Sequence, residues 1–281
     1  MSRVDLHVHT SVSDGMLTPD EVVNEANNLG VSAIALTDHD TMQGLPYAET
    51  AGRKYGVEII PGVELSTDYK GKEIHMLGYY CDPSNPAFRK NLKKIRVNRF
   101  DRMAKMVEKL QKMGLSIEFS DVLNIVKGDL MGRPHLAIAL CKKGYCQDPA
   151  EAFERYIGHE APAFVDRIKF SPYDAIFLIR NAKGIPVLAH PGLYKEDSII
   201  PSLVSAGLLG IEVFHPDQQL FANLRYMKYA KKYNLLVTGG SDFHGSNLGS
   251  SPNVGAVSIN YSYLEKLKRV SAAIRKGTKR F

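Results

Sequence analysis

Short apolar runs of β-type composition alternate with amphipathic segments along most of the chain. The runs predict strands at 4–9, 32–37, 57–62, 73–80, 185–189, 209–214, 235–240 and 254–259. Between them, apolar residues at helical spacing predict helices at 18–29, 43–55, 171–183, 199–206, 218–233 and 262–276. Strands that alternate with helices indicate parallel pairing, so the pattern predicts an α/β protein with a barrel or an open doubly wound sheet.

The first of these helices has clear boundary signals. Thr18 can cap the helix, Pro19 suits its first turn, and Glu21 is spaced to close a capping box. Gly30 follows the segment where a C-terminal glycine belongs. These signals support a helix over 18–29.

Residues 85–170 break the alternation. Their first part keeps helical spacing up to Gly114, through Phe88, Leu92, Ile95, Met103, Met106, Leu110 and Met113. Further helices are expected to begin at Pro134 and near Pro149. We therefore expect a barrel formed by 1–84 and 171–281, with 85–170 as a mostly helical insertion beside its mouth.

Composition bounds the class of protein. The 281 residues are 44% hydrophobic and 23% charged, which is typical of a soluble globular protein. No apolar run approaches membrane-spanning length, and the polar N-terminal strand predicts no signal peptide. The three cysteines, Cys81, Cys141 and Cys146, form no paired motif and indicate reduced thiols in a cytoplasmic protein. No obligate protein partner is indicated.

The net charge of +6 is unevenly distributed. Residues 88–113 hold ten Lys or Arg against Asp101 and Glu108, a local charge of +8, whereas the remainder has 26 basic and 28 acidic residues, a charge of −2. A local excess of this kind favours an anionic partner or substrate. The alternative is a solvated helix face, which most charge runs are.

Nine side chains able to bind metals recur at the ends of the apolar runs. A ring of strand ends carrying imidazoles and carboxylates is typical of a multinuclear metallohydrolase. The residues are His7, His9, Asp14, His39, Glu64, His75, His190, Asp242 and His244.

Two of these motifs have strand geometry. In His7-Val8-His9 the strand period puts both imidazoles on one face while Val8 points into the core, and 242–244 repeats this arrangement. Single members keep ordinary alternatives: Asp14 could belong only to a turn, and His75 could be a satisfied core histidine. The set as a whole favours a metal site.

The motifs that carry these residues resemble those of the PHP (polymerase and histidinol phosphatase) superfamily of metal-dependent phosphoesterases. The resemblance covers nearly the whole chain, through VDLHVHTSVSDG, TDHDT, IIPGVELS, EIHMLGY, VLAHPG and GGSDFHG. Within the superfamily the chain is most similar to the bacterial nucleoside 3′,5′-bisphosphate phosphatases and 5′→3′ exoribonucleases, which includes the GRPHLA stretch at 132–137.

The resemblance implies a distorted (β/α)7 TIM-like barrel that holds two to three divalent ions at its strand ends. By this similarity His7, His9, Glu64 and Asp242 would hold the first ion. Glu64 would bridge to a second ion, completed by His75 and His190, and Asp14, His39 and His244 would hold the third. The mixed imidazole and carboxylate set suits manganese best, with iron or zinc as alternatives.

The resemblance also implies in-line attack on phosphorus by a metal-bridging hydroxide, with Glu64 and Asp242 as catalytic ligands. Arg99, Arg133 and His135 are candidates to bind substrate phosphate, although Arg99 could instead be a solvent-facing helix charge. His215 could contact the phosphate or protonate the leaving oxygen, or could simply be a histidine at a helix start.

Two neighbouring residues have weaker assignments. Asp40 could orient His39 or merely occupy a turn. His159 is interpreted as a surface residue, at a position where similar sequences more often carry a basic side chain.

The leading hypothesis is hydrolysis of the 3′-phosphate of nucleoside 3′,5′-bisphosphates, such as 3′-phosphoadenosine 5′-phosphate, and/or of short 5′-phosphorylated RNA from its 5′ end. The nearest alternative is a histidinol-phosphate phosphatase, which has no evident use for the +8 segment. An alternative of another class is a nucleic-acid-binding module with structural metals, but only Phe88 and Phe100 interrupt the basic segment as aromatics, so base stacking has little support.

Overall fold

A computed structural model of the protein describes residues 2–128, 130–166, 170–245 and 252–277. Residues 129 and 167–169, which belong to the predicted insertion, lie outside the described residues. In the described part of the chain no helix is long and apolar enough to cross a membrane.

Within the described residues eight strands form one sheet in the order β7-β6-β5-β4-β3-β2-β1-β8. Seven of the eight predicted strands are confirmed, although β3 is longer than predicted. The strands are β1 (Arg3–Val8), β2 (Val31–Leu36), β3 (Glu58–Tyr69), β4 (Lys72–Tyr79), β5 (Ile185–Leu188), β6 (Gly210–Phe214), β7 (Leu236–Gly239) and β8 (Ile259–Asn260).

The prediction of parallel pairing is wrong for β4, which pairs antiparallel with both β3 and β5. Strands β3 and β4 are joined by the two residues Lys70 and Gly71, both with positive φ, 54° and 80°. A two-residue turn of this kind reverses the chain directly and extends β3 as a hairpin. Glu64 consequently lies inside a strand, just beyond the part of β3 that pairs in parallel with β2.

The sheet closes where the chain beyond β7 meets β1. Val8 bridges in parallel to Phe243, and the amide of His9 donates to the carbonyl of Phe243 at 2.9 Å. The short β8 pairs antiparallel with the start of β1, so two segments share one edge of that strand. The distorted TIM-like barrel expected from the sequence is confirmed.

The predicted strand at 254–259 is wrong except at its last residue. The amide of Gly255 donates to the carboxylate of Asp5 at 2.7 Å instead of to a neighbouring strand, and Val254 turns into the core. The buried Asp5 also accepts hydrogen bonds from the amide and hydroxyl of Ser241. The carboxylate of Asp5 therefore accepts the backbone hydrogen bonds that a neighbouring strand would otherwise accept.

Helices cover the barrel, and the six predicted there are confirmed to within two residues at each end. Helix α1 has the expected capping box between Thr18 and Glu21. The helices are α1 (Pro19–Asn28), α2 (Leu45–Tyr55), α3 (Pro86–Lys112), α4 (Phe119–Leu123), α5 (Arg133–Lys142), α6 (Pro149–Ala152), α7 (Pro172–Asn181), α8 (Pro191–Tyr194), α9 (Ile200–Ser205), α10 (Leu220–Tyr233) and α11 (Tyr261–Arg275).

The helices between β4 and β5 have an apolar core of their own. Its buried residues come from helices α3 to α6 and the segments around them, and all lie between Met103 and Ala163. Separate clusters join the barrel strands to α7, α10 and α11. This arrangement is consistent with a helical insertion, while its boundaries at 85 and 170 stay a prediction.

Helix α3 sorts its basic residues by face. Arg99 and Arg102 are buried, and Arg96 is half-buried against the loop after β2, where it donates to the side-chain oxygen of Gln43 at 2.7 Å. These positions are three residues apart, so they form one stripe along the helix. The other seven basic residues of 88–113 are exposed. The solvated-face interpretation therefore holds for those seven and fails for the arginine stripe.

Candidate active site

Strand β1 and the chain beyond β7 carry the centre of the site. Val8 and Phe243 pair with each other and are buried in the core, so the residues flanking them point to the opposite face. Asp242 Oδ1 lies 3.2 Å from His7 Nε2 and 3.1 Å from His9 Nε2. The two H-x-H-like motifs thus meet side by side, as their strand geometry predicts.

Glu64 lies at the middle of the cluster. Its Oε2 is 3.2–3.3 Å from a nitrogen of three imidazoles, and its Oε1 is 3.0 Å from a nitrogen of two more. The first three rings belong to His7, His9 and His39, and the other two belong to His75 and His190. One carboxylate in contact with five rings has the position expected of a bridging ligand.

Asp14 lies near three histidines of the cluster. Its carboxylate lies 3.4 Å from His244 Nε2 and 3.8 Å from both His39 Nε2 and His9 Nδ1. The amide and hydroxyl of Thr10, in the same loop, donate to the buried Asp38, which fixes the loop that carries Asp14.

All nine sequence-predicted ligands converge, but their closest groupings differ in detail from the expected ones. His9 also approaches the Asp14 group, and His39 also approaches Glu64 and His75. The groups whose candidate atoms lie within 4.8 Å of one another are His7, His9, Glu64 and Asp242; His9, Asp14, His39 and His244; and His39, Glu64 and His75. The assignment of residues to ions stays a prediction.

Three residues of the site have left-handed backbone conformations that side chains rarely adopt. Asp40 has φ of 50°, His190 of 23° and Asp242 of 51°. Each follows a barrel strand, where the chain must turn sharply to keep its side chain over the barrel mouth. Strain at such positions is retained when the surrounding fold fixes the side chain for another purpose.

The carboxylates of the cluster remain ionised at neutral pH. Burial alone would raise the pKa values of Glu64, Asp14 and Asp242, but the surrounding imidazoles outweigh it and hold all three well below the usual range. Burial also lowers the pKa of His39 to about 3, so that ring is neutral. The neighbouring carboxylates raise the pKa of His7 well above its usual range, that of His9 to about 10 and that of His75 to about 9, although burial opposes these shifts. The metal-free cluster therefore pairs buried carboxylates with protonated imidazoles, and metal ions would replace those protons.

The donor set fits divalent metal ions. His9 Nδ1 and Asp242 Oδ1 are buried and have no hydrogen-bond partner within the described structure. The Nε2 atoms of His7 and His9 also face each other at 3.1 Å. Buried polar atoms normally have hydrogen-bond partners, so these converging ligand atoms without partners point to cations as the missing partners. Imidazoles with carboxylates suit manganese, iron or zinc.

Several residues that fix these rings were missed from the sequence. Glu212 contacts His7 Nδ1 at 3.1 Å, so Nε2 of that ring faces the cluster. The hydroxyl of Tyr194 lies 2.8 Å from His190 Nδ1, and Glu73 lies 2.8 Å from Nε2 of His75. Such contacts set which ring nitrogen is available to a metal.

Arg99 lies beside the cluster and is held by two acceptors. Its Nε donates to Asp40 Oδ2 at 2.8 Å and its Nη2 donates to Ser66 Oγ at 2.8 Å, while Nη1 makes no hydrogen bond with the described residues. Asp40 therefore orients Arg99, and the expectation that it orients His39 is wrong. Arg99 is buried with one edge still open, and its phosphate-binding role stays a prediction.

The GRPH segment begins α5 at the edge of the site. Arg133 Nη2 donates to Glu73 Oε2 at 2.7 Å. His135 Nδ1 accepts from the amide of Gly132 at 3.1 Å, and burial lowers the pKa of this histidine. The neutral ring then carries its proton on Nε2. The phosphate-binding roles of Arg133 and His135 stay predictions.

His215 lies beside Asp242 and contacts the protein through both ring nitrogens. Its Nδ1 accepts from the amide of Asp217 at 3.2 Å, and its Nε2 lies 3.2 Å from Asp242 Oδ2. Both ring nitrogens are thus engaged within the protein. Contact of His215 with a phosphate or with the leaving oxygen stays a prediction.

A cleft of about 460 Å³ opens beside the cluster, between the β3–β4 hairpin and the helical segment. Arg102, Arg133 and Tyr194 line it together with His159, which is exposed and lies 2.6 Å from the carbonyl oxygen of Gly71. His159 is at the surface, as predicted, but at the wall of this cleft. Its ring packs against Phe164, with centroids 4.9 Å apart.

The sequence profile of the PHP domain matches residues 5–188, which is more than half of the chain. The chain belongs to the PHP family. Every candidate ligand before Asp242 except His190 falls inside that match.

Curated relatives of this PHP protein are similar over most of their lengths. The chain is 32% identical to a 3′,5′-nucleoside bisphosphate phosphatase of Chromobacterium violaceum over 89% of its own length and 90% of the relative. It is 33% identical to a 5′-3′ exoribonuclease of Haemophilus influenzae, over 86% and 90%. It is 32% identical to a phosphoribosyl 1,2-cyclic phosphate 1,2-diphosphodiesterase of Eggerthella lenta, over 89% and 97%.

Solved structures agree with the PHP assignment. A Bifidobacterium adolescentis protein described as a metal-dependent phosphoesterase superposes with a TM-score of 0.89 at 30% identity, over 95% of this chain and 96% of that one. A Chromobacterium violaceum protein described as an amidohydrolase, with bound sulfate, superposes with a TM-score of 0.84 at 30% identity, over the same shares. The protein is a metal-dependent phosphoesterase, and the hypothesis of a binding module without catalysis loses its support.

Proposed function

We propose that this PHP enzyme removes the 3′-phosphate of nucleoside 3′,5′-bisphosphates and/or degrades short 5′-phosphorylated RNA from its 5′ end, with two to three divalent ions, most suitably manganese. The relatives carry three different names at nearly equal identity, so identity alone does not choose the substrate. The choice rests on the side chains around the ligand cluster.

The observation that carries the proposal is the arginine-lined flank of the cluster. Arg99 is buried against Asp40 with its Nη1 open, and Arg133 lines the cleft beside the cluster. A substrate with two phosphates could place the scissile one on the ligand cluster and the other on these guanidinium groups. Planar guanidinium forks match phosphate oxygens in a bidentate manner.

The chain contributes positioning and charge to the reaction. When bound, divalent ions polarise the phosphoryl oxygens and lower the pKa of an adjacent water. Glu212 and Tyr194 fix the rings of His7 and His190, and His215 holds Asp242 through its Nε2 proton. These contacts leave the ligand atoms directed at one point before substrate arrives.

Arg99 and His135 supply the remaining donors. The Nη1 group of Arg99 and the Nε2 proton of His135 can donate to phosphate oxygens that carry increasing negative charge. Because Arg99 is buried, such donors act in a medium where charge interactions are stronger than in water.

A substrate panel tests the proposal. The manganese-loaded protein is assayed for phosphate release from 3′-phosphoadenosine 5′-phosphate, histidinol phosphate and phosphoribosyl 1,2-cyclic phosphate, and for nucleotide release from a 5′-phosphorylated trinucleotide. We expect kcat/KM to be highest for the bisphosphate or the trinucleotide. A preference for histidinol phosphate or for the cyclic phosphate would contradict the proposal.

Variants test the ligand assignment separately. Asp242→Ala or His9→Ala should abolish hydrolysis with the far-ultraviolet circular dichroism unchanged. Asp20→Ala, an exposed residue of α1, is the matched control and should keep wild-type activity. Activity retained in both ligand variants would rule out the assignment.

A further inference from the structure

Glu73 lies at the junction between the ligand cluster and the helical segment. It precedes His75 by two residues on β4, so both side chains point to the same face of the strand. Its Oε1 lies 2.8 Å from His75 Nε2, while His75 Nδ1 faces Glu64 Oε1 at 3.0 Å. The ring is therefore held between two carboxylates, with Nδ1 toward the cluster.

The other oxygen of Glu73 reaches across the cleft. Its Oε2 accepts from Arg133 Nη2 at 2.7 Å, at the first residue of α5. The guanidinium group of Arg133 also packs near the rings of Phe153 and Phe164, 5.5 and 5.7 Å from their centroids. Arg133 is thus fixed on one edge by Glu73 and on its faces by aromatic rings.

The rest of Arg133 remains open to the cleft. Its Nε and Nη1 make no hydrogen bond with residues in the described ranges, and its side chain is 18% exposed. The guanidinium group therefore has donors directed at a bound molecule while Nη2 stays with Glu73. One carboxylate thereby positions both a candidate metal ligand and a candidate phosphate donor.

We propose that Glu73 is a positioning residue that couples the metal centre to the phosphate-binding arginine. This inference rests on the proposed function, through the ligand role of His75 and the phosphate role of Arg133. Loss of the Glu73 charge has two separable consequences. His75 loses a charged acceptor that fixes its ring, which weakens metal binding, and Arg133 loses its ion-pair partner, which weakens substrate capture without changing the reacting groups.

Glu73→Gln is the informative substitution because it keeps the size of the side chain. We expect the metal-free protein to bind Mn²⁺ about 10- to 100-fold more weakly in calorimetric titration, as for other residues that support a ligand. At saturating Mn²⁺ the KM for 3′-phosphoadenosine 5′-phosphate should rise about tenfold, with kcat within about threefold of wild type.

Glu196→Gln is the matched control. Glu196 pairs with Lys72, the residue next to Glu73 on β4, at 2.6 Å, and touches no candidate ligand. We expect its Mn²⁺ affinity and KM to equal those of wild type. Equal losses in both variants would show a general effect of charge on this hairpin and would overturn the proposal.

A double-mutant cycle isolates the link to Arg133. The cycle compares Glu73→Gln, Arg133→Gln and the double variant. The KM of the double variant should rise by less than the product of the two single increases, since the two residues act as one unit. Additive effects, or unchanged Mn²⁺ affinity in Glu73→Gln, would overturn the coupling. A wild-type protein that binds no Mn²⁺ or hydrolyses no substrate of the panel would instead refute the proposed function itself.

Discussion

Glu212→Gln is the sharpest test of how the protein prepares its metal ligands. The carboxylate of Glu212 is fully buried, contacts His7 Nδ1 at 3.1 Å and accepts from the backbone amide of His190 at 2.8 Å. An amide offers only one oxygen. If that oxygen keeps the His190 amide, the new NH₂ group faces His7 Nδ1, and the ring must shift its proton to Nε2.

That proton shift determines the size of the effect. Nε2 of His7 is the atom that faces Asp242 and Glu64, and a protonated nitrogen cannot bind a metal. We expect Mn²⁺ affinity to fall about 10- to 100-fold, which corresponds to about 1.4–2.7 kcal/mol. The metal-free protein should lose about 1.5–3 kcal/mol of unfolding free energy, since one buried hydrogen bond to a charged group changes.

Calorimetric titration of metal-free protein with Mn²⁺, together with urea unfolding, measures both quantities. Glu58→Gln is the control, because Glu58 pairs with Lys268 and Tyr261 near the start of β3 and far along that strand from Glu64. Mn²⁺ affinity of Glu212→Gln within twofold of wild type would refute the reasoning about the ring proton.

Three further predictions concern other parts of the molecule. Gly240→Ala should abolish activity and lower stability measured by thermal unfolding, because a Cβ there would overlap the backbone nitrogen of His7. Burial raises the pKa of Cys81 to about 12, so less than about one thiol in a thousand is ionised at pH 9 in the folded protein; mass-spectrometric mapping after native alkylation should find Cys81 unmodified, and rapid modification would contradict its burial. Thr18→Ala should cost about 0.5–2 kcal/mol in urea unfolding through loss of the capping box, and an unchanged midpoint would show that the cap is unimportant.

Sequence patterns predicted most elements because local signals and final packing agree. The exceptions arise from long-range geometry. The run at 254–259 has strand-like composition, yet β1 already pairs with Phe243 near its end, and Asp5 takes the amide of Gly255. Similarly, β4 runs antiparallel to β3, contrary to the prediction, because a two-residue turn and not a helix joins the two strands.

The candidate site divides in the same way. Histidines and acidic residues at strand ends are recognisable by residue type and spacing, so the nine candidate ligands could be found. Glu212 lies in an ordinary apolar strand, and its partner His7 is 205 residues away, so no local pattern joins them. The roles of Glu73 and Tyr194 likewise could not be predicted, because only the folded barrel brings their partners beside them.

The separation of charges on α3 has a kinetic consequence. The exposed lysines and Arg89 create a field that reaches beyond the protein surface, but such fields are screened within about 10 Å at 0.1 M salt. Arg99 is shielded from that screening by burial. Rising ionic strength should therefore slow the arrival of an anionic substrate and lower kcat/KM, while kcat stays nearly constant. The same helix would set how fast substrate is collected and, through different residues, how firmly it is held.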